Sequence, residues 1–173
     1  MRMCSQLVRR PGSALASSFA SLLAALFAAS SVAISVLPRT AFAADNVWDL
    51  VNATNQVRAE NGLQPLTVND ELTRSAGTHA RDMATRNYFS HWTPEGWDAG
   101  LRIYGWGYPR WAGVAENIAA GQGSPWQVVQ SWLASPGHRA NLLNPNFRSF
   151  GVGHYYASSS SYVNYWVGHY GTN

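Results

Sequence analysis

The chain has 173 residues with 12 basic and 9 acidic side chains, and every basic residue is arginine. Four arginines (Arg2, Arg9, Arg10, Arg39) precede residue 44 and no acid does, so residues 44–173 hold eight arginines against nine acids, a net charge of −1. The basicity therefore belongs to the N-terminus and excludes the footprint of a nucleic-acid binder, while the single cysteine, Cys4, excludes a disulfide framework and a thiol nucleophile in the remainder.

Residues 1–43 have the three parts of a secretory signal. Arg2, Arg9 and Arg10 form a positive start, Ala14 to Leu37 is apolar, and Ala41-Phe42-Ala43 offers small residues at a cleavage site. The apolar stretch is long enough to span a bilayer, but its serines and Pro38 favour cleavage, with Ala44 or Asp45 starting the mature chain. The Arg9-Arg10 pair is a weak match to a twin-arginine signal, because Pro11 follows. The expected product is a secreted, cysteine-free, monomeric domain of residues 44–173 with no transmembrane segment.

Val47, Leu50, Val51, Thr54 and Val57 recur at spacings of three and four, which predicts an amphipathic helix ending near Asn61-Gly62. Leu63 to Val68 reads as a connection. A second helix, capped by Asn69 or Asp70, carries Leu72, Ala76, His79, Ala80 and Met83 as one stripe and ends near Asn87. Residues 88–111 form an aromatic-rich loop with a short helix after Asp98. Most of these aromatics are expected to build a second small core, since each can bury ~150–250 Å². Val114 to Ala119 reads as a strand. Ser124-Pro125-Trp126-Gln127 is a capping box opening a helix to Ala134, and Ser135-Pro136 starts another that ends at Asn144-Pro145. Phe150 to Ala157 and Tyr162 to Tyr170 predict an antiparallel hairpin. The class is α+β or a layered α-β-α arrangement with a small antiparallel sheet.

Glu116 stands inside an apolar run, where a charge is costly without a partner. With His91 and His138 it makes the ligand set of an open zinc site. The alternative is a glutamate satisfied by backbone amides, with two unrelated surface histidines. His79, on the apolar stripe, is expected to be a core histidine satisfied locally. His154 and His169 lie on the hairpin strands and are expected to pair on the sheet surface.

The segment Gly137-His138-Arg139-Ala140-Asn141-Leu142-Leu143-Asn144-Pro145-Asn146-Phe147, running on to Phe150-Gly151-Val152-Gly153, resembles the signature of bacterial CAP-superfamily domains. These are relatives of the cysteine-rich secretory, antigen 5 and pathogenesis-related proteins. Asn55-Gln56-Val57-Arg58, His79-Ala80-Arg81-Asp82-Met83, Phe89-Ser90-His91, Glu116-Asn117-Ile118-Ala119 and Trp132-Leu133-Ala134-Ser135 match in the same order, so the resemblance covers roughly residues 47 to 170. It implies a three-layer α-β-α sandwich and a cleft in which His91, Glu116 and His138 meet, a site that holds zinc or another divalent cation in some relatives. Ser135 stands where many eukaryotic members have a second glutamate, and the family's disulfides are absent.

Trp92 and Trp97 flank His91 and are expected to line the cleft with Ser135. Arg139, Asn141 and Asn117 either wall it or bond locally to backbone. Two functions lead, ahead of a third, a carbohydrate-binding domain acting through the tryptophan loop. One is an extracellular module binding a lipid, sterol or cell-envelope ligand, with a non-obligatory divalent metal and no catalytic residue. The other is a zinc-dependent hydrolase acting on peptide or cell wall through His91, Glu116 and His138. That mechanism lacks a separate general base, for which only Glu95 and Asp98 are close in sequence.

Overall fold

The structure, a computed structural model, describes residues 42–172; the signal-like segment and Cys4 lie outside the described residues, apart from Phe42 and Ala43. Helices α1 (Phe42–Glu60), α2 (Asp70–Thr85), α3 (Ala99–Gly105), α4 (Pro125–Ala134) and α5 (Pro136–Leu142) surround strands β1 (Thr67–Val68), β2 (Val114–Ala120), β3 (Ser149–Tyr156) and β4 (Asn164–Gly171). The expected cleavage after Ala43 falls in the first turn of α1.

Local signals set most boundaries. The Asn69 side chain accepts from the Leu72 N–H and Asp98 from the Leu101 N–H, opening α2 and α3. Ser124 likewise caps the Gln127 N–H, with Pro125 in the first turn of α4. The reciprocal half of that box is displaced by one residue, since the Gln127 side chain accepts from Gly123. Ser135 makes no side-chain cap on α5.

The sheet runs β1-β3-β4-β2, with β3–β4 and β4–β2 antiparallel. The connection before α2 contains a strand not evident from pattern: Thr67 and Val68 pair in parallel with Ser149 and Phe150, making the sheet mixed. Alternation along β4 divides the core. Trp166 and Tyr170 join Leu50, Val129, Trp132 and Phe150 beneath α1 and α4, while Tyr165 and Val167 meet Ala76, Ala80 and Met83 of α2. The expected three-layer sandwich is thus present. Gly151 and Gly153 let α2 approach: a Cβ on Gly151 would strike the Leu72 and Thr73 backbone, and one on Gly153 the Ala76 backbone.

β2 is an edge strand of the sheet, and its outward carbonyls are covered by side chains. The Trp132 indole donates to the Ile118 carbonyl at 3.2 Å and Asn141 to the Glu116 carbonyl at 3.3 Å. Loop residues 143–148 are tied to α1 by Arg58, a buried cation that bonds only carbonyls. Its Nε donates to Gln64 at 3.0 Å, Nη1 to Leu142 at 2.8 Å and Asn144 at 3.0 Å, and Nη2 to Phe147 at 3.4 Å. Replacing it orphans buried acceptors. Arg58→Met is expected to lower the free energy of urea unfolding by ~3 kcal/mol or more.

Candidate functional site

Strand alternation decides which way each member of the site faces. Glu116 and His169 are cross-strand partners on β2 and β4 and point to the side covered by α2 and α3, whereas Asn117 points to the side of α5. Both oxygens of the Glu116 carboxylate are engaged. His91 Nδ1 lies 2.6 Å from Oε1; Arg102 Nη2 and His169 Nε2 lie 2.5 and 2.7 Å from Oε2. The carboxylate is almost wholly buried, at 2% side-chain exposure.

Burial alone would raise the Glu116 carboxyl. Hydrogen bonds from His169 and His91, with the positive potential of His169 and Arg102, outweigh it and hold the group well below the ordinary carboxylate range. An ionised carboxylate only accepts, so His91 Nδ1 and His169 Nε2 each carry a proton toward it. The other nitrogen of His91 lies on a half-exposed ring whose centroid is 6.4 Å from that of His138. Burial, and then the neighbouring His91, lower the pKa of His138.

Arg102 was not recognised from sequence. Besides Glu116, its Nη1 donates to the carbonyls of His91 and Trp97, both at 2.8 Å, so one guanidinium fixes the carboxylate and the loop that carries His91. Glu116 is met by side chains and not by backbone amides, the alternative reading, and the expectation that His154 faces His169 is overturned by register. His154 pairs with Trp166 and His169 with Gly151, which places the two histidines on opposite faces. His154 stacks on Trp166 with centroids 3.8 Å apart and bonds Asn164, while His169 is fully buried against Glu116. His79 is the expected core histidine, its Nε2 3.0 Å from the Ser90 carbonyl, but it also lies 4.0 Å from Glu116.

A cleft of about 550 Å³ opens beside the edge of β2, lined by His91, Trp92, Ile118, Ser135 and His138 among others. Asn117 and Asn141 stand behind it: Asn117 donates to the His138 carbonyl at 2.9 Å and accepts from Asn141 at 2.9 Å. Arg139 is exposed on another surface of α5, with Pro136 and Leu143. Trp97 lines a neighbouring cavity instead. Glu95 is bound by Arg86 at 2.8 Å, which holds its carboxyl down to about 2, and Asp98 is the α3 cap. Among the described residues, no group of three or more His, Cys, Asp or Glu is arranged to hold a metal ion.

The second aromatic core does not form. Of the aromatics in residues 88–111 only Tyr108 is buried; Tyr88 and Tyr104 are half-buried, and Phe89, Trp92, Trp97, Trp106 and Trp111 are 42 to 75% exposed. The sheet face beneath them is already filled by α2, Ile103 and Ala112, and α3 is too short to bury more than one side.

Removing Arg102 leaves a buried carboxylate under-compensated, which costs about 3–5 kcal/mol. Arg102→Met is expected to lose that much in urea unfolding, and adding Glu116→Gln is expected to restore part of it; strictly additive losses would refute the coupling. Burial brings His79 from 6.5 down to about 4 in the folded protein, so the unfolded chain binds that proton more readily. Its contribution, about 3 kcal/mol, is full above pH 6.5 and fades as the pH falls toward 4. An NMR titration of the His79 ring should have its midpoint near 4; a midpoint near 6.5 is the contrary result.

The CAP family, described as the cysteine-rich secretory protein family, matches residues 51–170. The uncharacterized protein YkwD of Bacillus subtilis is 41% identical over 122 residues, 69% of this chain and 46% of that protein. The uncharacterized membrane protein YlbC of the same organism is 33% identical over 104 residues, 60% of this chain and 30% of that one. The chain therefore spans less than half the length of these curated relatives. An extracellular protein containing an SCP domain from Bacillus anthracis has a TM-score of 0.65 at 29% identity, over 76% of this chain and 41% of that chain. An outer surface protein of Borrelia burgdorferi shares the fold with a TM-score of 0.61 at 24% identity, over 72% of this chain and 90% of that one. By its matched sequence and its α-β-α sandwich, the chain belongs to the CAP family.

Proposed function

We propose that this CAP domain is exported and acts as a binding module, taking a lipid, sterol or other cell-envelope component in the cleft between His91 and His138. The observation that carries this reading is the full engagement of Glu116. Its oxygens accept from His91, Arg102 and His169, so it is not free to take a proton from water. Glu95 and Asp98 are also committed, to Arg86 and to the α3 cap. The signal-like residues 1–43 and the extracellular relative from Bacillus anthracis support export. No helix among the described residues is long and apolar enough to cross a membrane.

The two imidazoles suit zinc or another divalent cation. A carboxylate that accepts the Nδ1 proton of His91 leaves its Nε2 as a donor of fixed orientation, the outer-shell arrangement that supports metal-bound histidines. Glu116 would then act from behind His91, and solvent or ligand oxygens would complete the coordination. Such a cation would supply a positive anchor for a ligand oxygen. Ser135 lies across the cleft as a neutral wall.

Zinc titration of residues 44–173 by calorimetry is expected to give one site, weakened at least ~10-fold by His91→Ala and by His138→Ala. Binding unchanged in both variants would remove the metal reading. Peptide, ester and peptidoglycan substrates are expected to survive incubation; hydrolysis abolished by Glu116→Ala would replace the binding reading with a zinc-dependent hydrolase.

A further inference from the structure

The place of Arg102 is set locally. Asp98 caps the Leu101 N–H, and its carbonyl accepts from the Arg102 N–H at 3.1 Å. Helix α3 therefore opens with Leu101 turned to solvent and with Arg102 and Ile103 turned inward. The loop before it is closed on itself: the Thr93 N–H donates to the Trp97 carbonyl at 3.0 Å, and the Trp97 N–H to Thr93 Oγ1 at 3.2 Å. Arg102 Nη1 takes the carbonyls at the two ends of this loop, His91 and Trp97, both at 2.8 Å. His79 holds the adjoining Ser90 carbonyl at 3.0 Å, and the Trp97 side chain lines the cavity between α2 and α3. The backbone at His91 is thus fixed by side chains from two helices.

The Glu116 carboxylate is divided between its donors. Oε2 accepts from Arg102 Nη2 at 2.5 Å and from His169 Nε2 at 2.7 Å. Among the described residues, Oε1 accepts only from His91 Nδ1, at 2.6 Å. A guanidinium never accepts, so Arg102 decides which oxygen is spent and which is left for His91. That oxygen obliges His91 to carry a proton on Nδ1, and in the neutral ring Nε2 then holds the lone pair. A metal-bound histidine is held in this way, by a partner that fixes both tautomer and ring orientation. Lysine lacks the planar fork that reaches the carboxylate with one nitrogen and two carbonyls with the other.

We infer that Arg102 is the positioning residue of the His91–His138 cleft: one guanidinium fixes the backbone at His91 and, with His169, reserves a single carboxylate oxygen for His91 Nδ1, so that Nε2 is the nitrogen left to bind a cation. This rests on the reading that the two imidazoles hold a divalent cation, and it names the group that readies one of them.

Zinc calorimetry at about pH 7 and long-range nitrogen–proton NMR of the imidazoles at about pH 9, where they are ordinarily neutral, test this on the full chain. His91 in the parent is expected to be protonated on Nδ1. Glu116→Gln is expected to invert it. Arg102 and His169 both donate to the place of Oε2, so the glutamine carbonyl goes there, its amide turns to His91, and Nδ1 must accept. Arg102→Lys, which keeps the charge, is expected to show both His91 tautomers and to bind zinc at least ~10-fold more weakly. Arg58→Met, a loss of buried hydrogen bonds away from Glu116, is expected to match the parent in both measurements while folded. A folded Arg102→Lys variant with the parent's tautomer and zinc affinity overturns the inference. So does an Nδ1 proton kept in Glu116→Gln, or an equal loss of zinc affinity in Arg58→Met. If the parent takes no zinc, the metal reading fails, and the tautomers still decide the role of Arg102.

Discussion

The buried pair of Glu116 and Arg102 is the interaction on which the rest of the site depends. A carboxylate at 2% exposure is tolerable only because a guanidinium and two imidazoles reach it. Those donors come from three separate places, the loop after α2, α3 and β4, and meet at β2. Satisfying one charge therefore fixes how four pieces of chain meet. The same guanidinium holds the carbonyls of His91 and Trp97, so the loop bearing the exposed tryptophans is ordered by polar contacts instead of by a core of its own.

The topology explains why the site is open. β2 is an edge strand, and its side chains alternate between the α2–α3 side and the α5 side. Glu116 and Asn117 thus belong to different layers, yet both contribute to the cleft around that edge. His91 arrives from one layer and His138 from the other, and their rings come within 6.4 Å. Trp132 and Asn141 cap the edge carbonyls, so the cleft presents side chains in place of a free strand that would invite pairing with another chain. The Glu116 cluster stands between this cleft and the α2–α3 cavity, with His91 lining one and His79 and Arg102 the other.

Without disulfides among its described residues, the domain relies on packing and on carbonyl-binding cations. Arg58 does for α1, α5 and the loop before β3 what Arg102 does for the site: one planar donor group gathers acceptors from distant segments. Gly151 and Gly153 serve the same compactness on the other face, because α2 lies too close to β3 to admit a Cβ.

The sequence by itself determined whatever depends on neighbours along the chain. Asn69, Asp98 and Ser124 announce helix starts because a cap bonds within three residues, and the β3–β4 hairpin is legible from its period. His91, Glu116 and His138 stood out because their motifs resemble a known family in order and spacing, although nothing in their separation alone brought them together. Tertiary structure decided the rest. The two residues of β1 are too few to show a period, and Arg102 looks like any helical arginine until closure aims it at Glu116, fourteen residues on. His169 reaches the same carboxylate across 53 residues through strand register, and a register is set by pairing, not by composition. The exposure of Trp92, Trp97 and Trp106 was equally invisible, because burying an aromatic needs an unfilled face and α2 had already filled it.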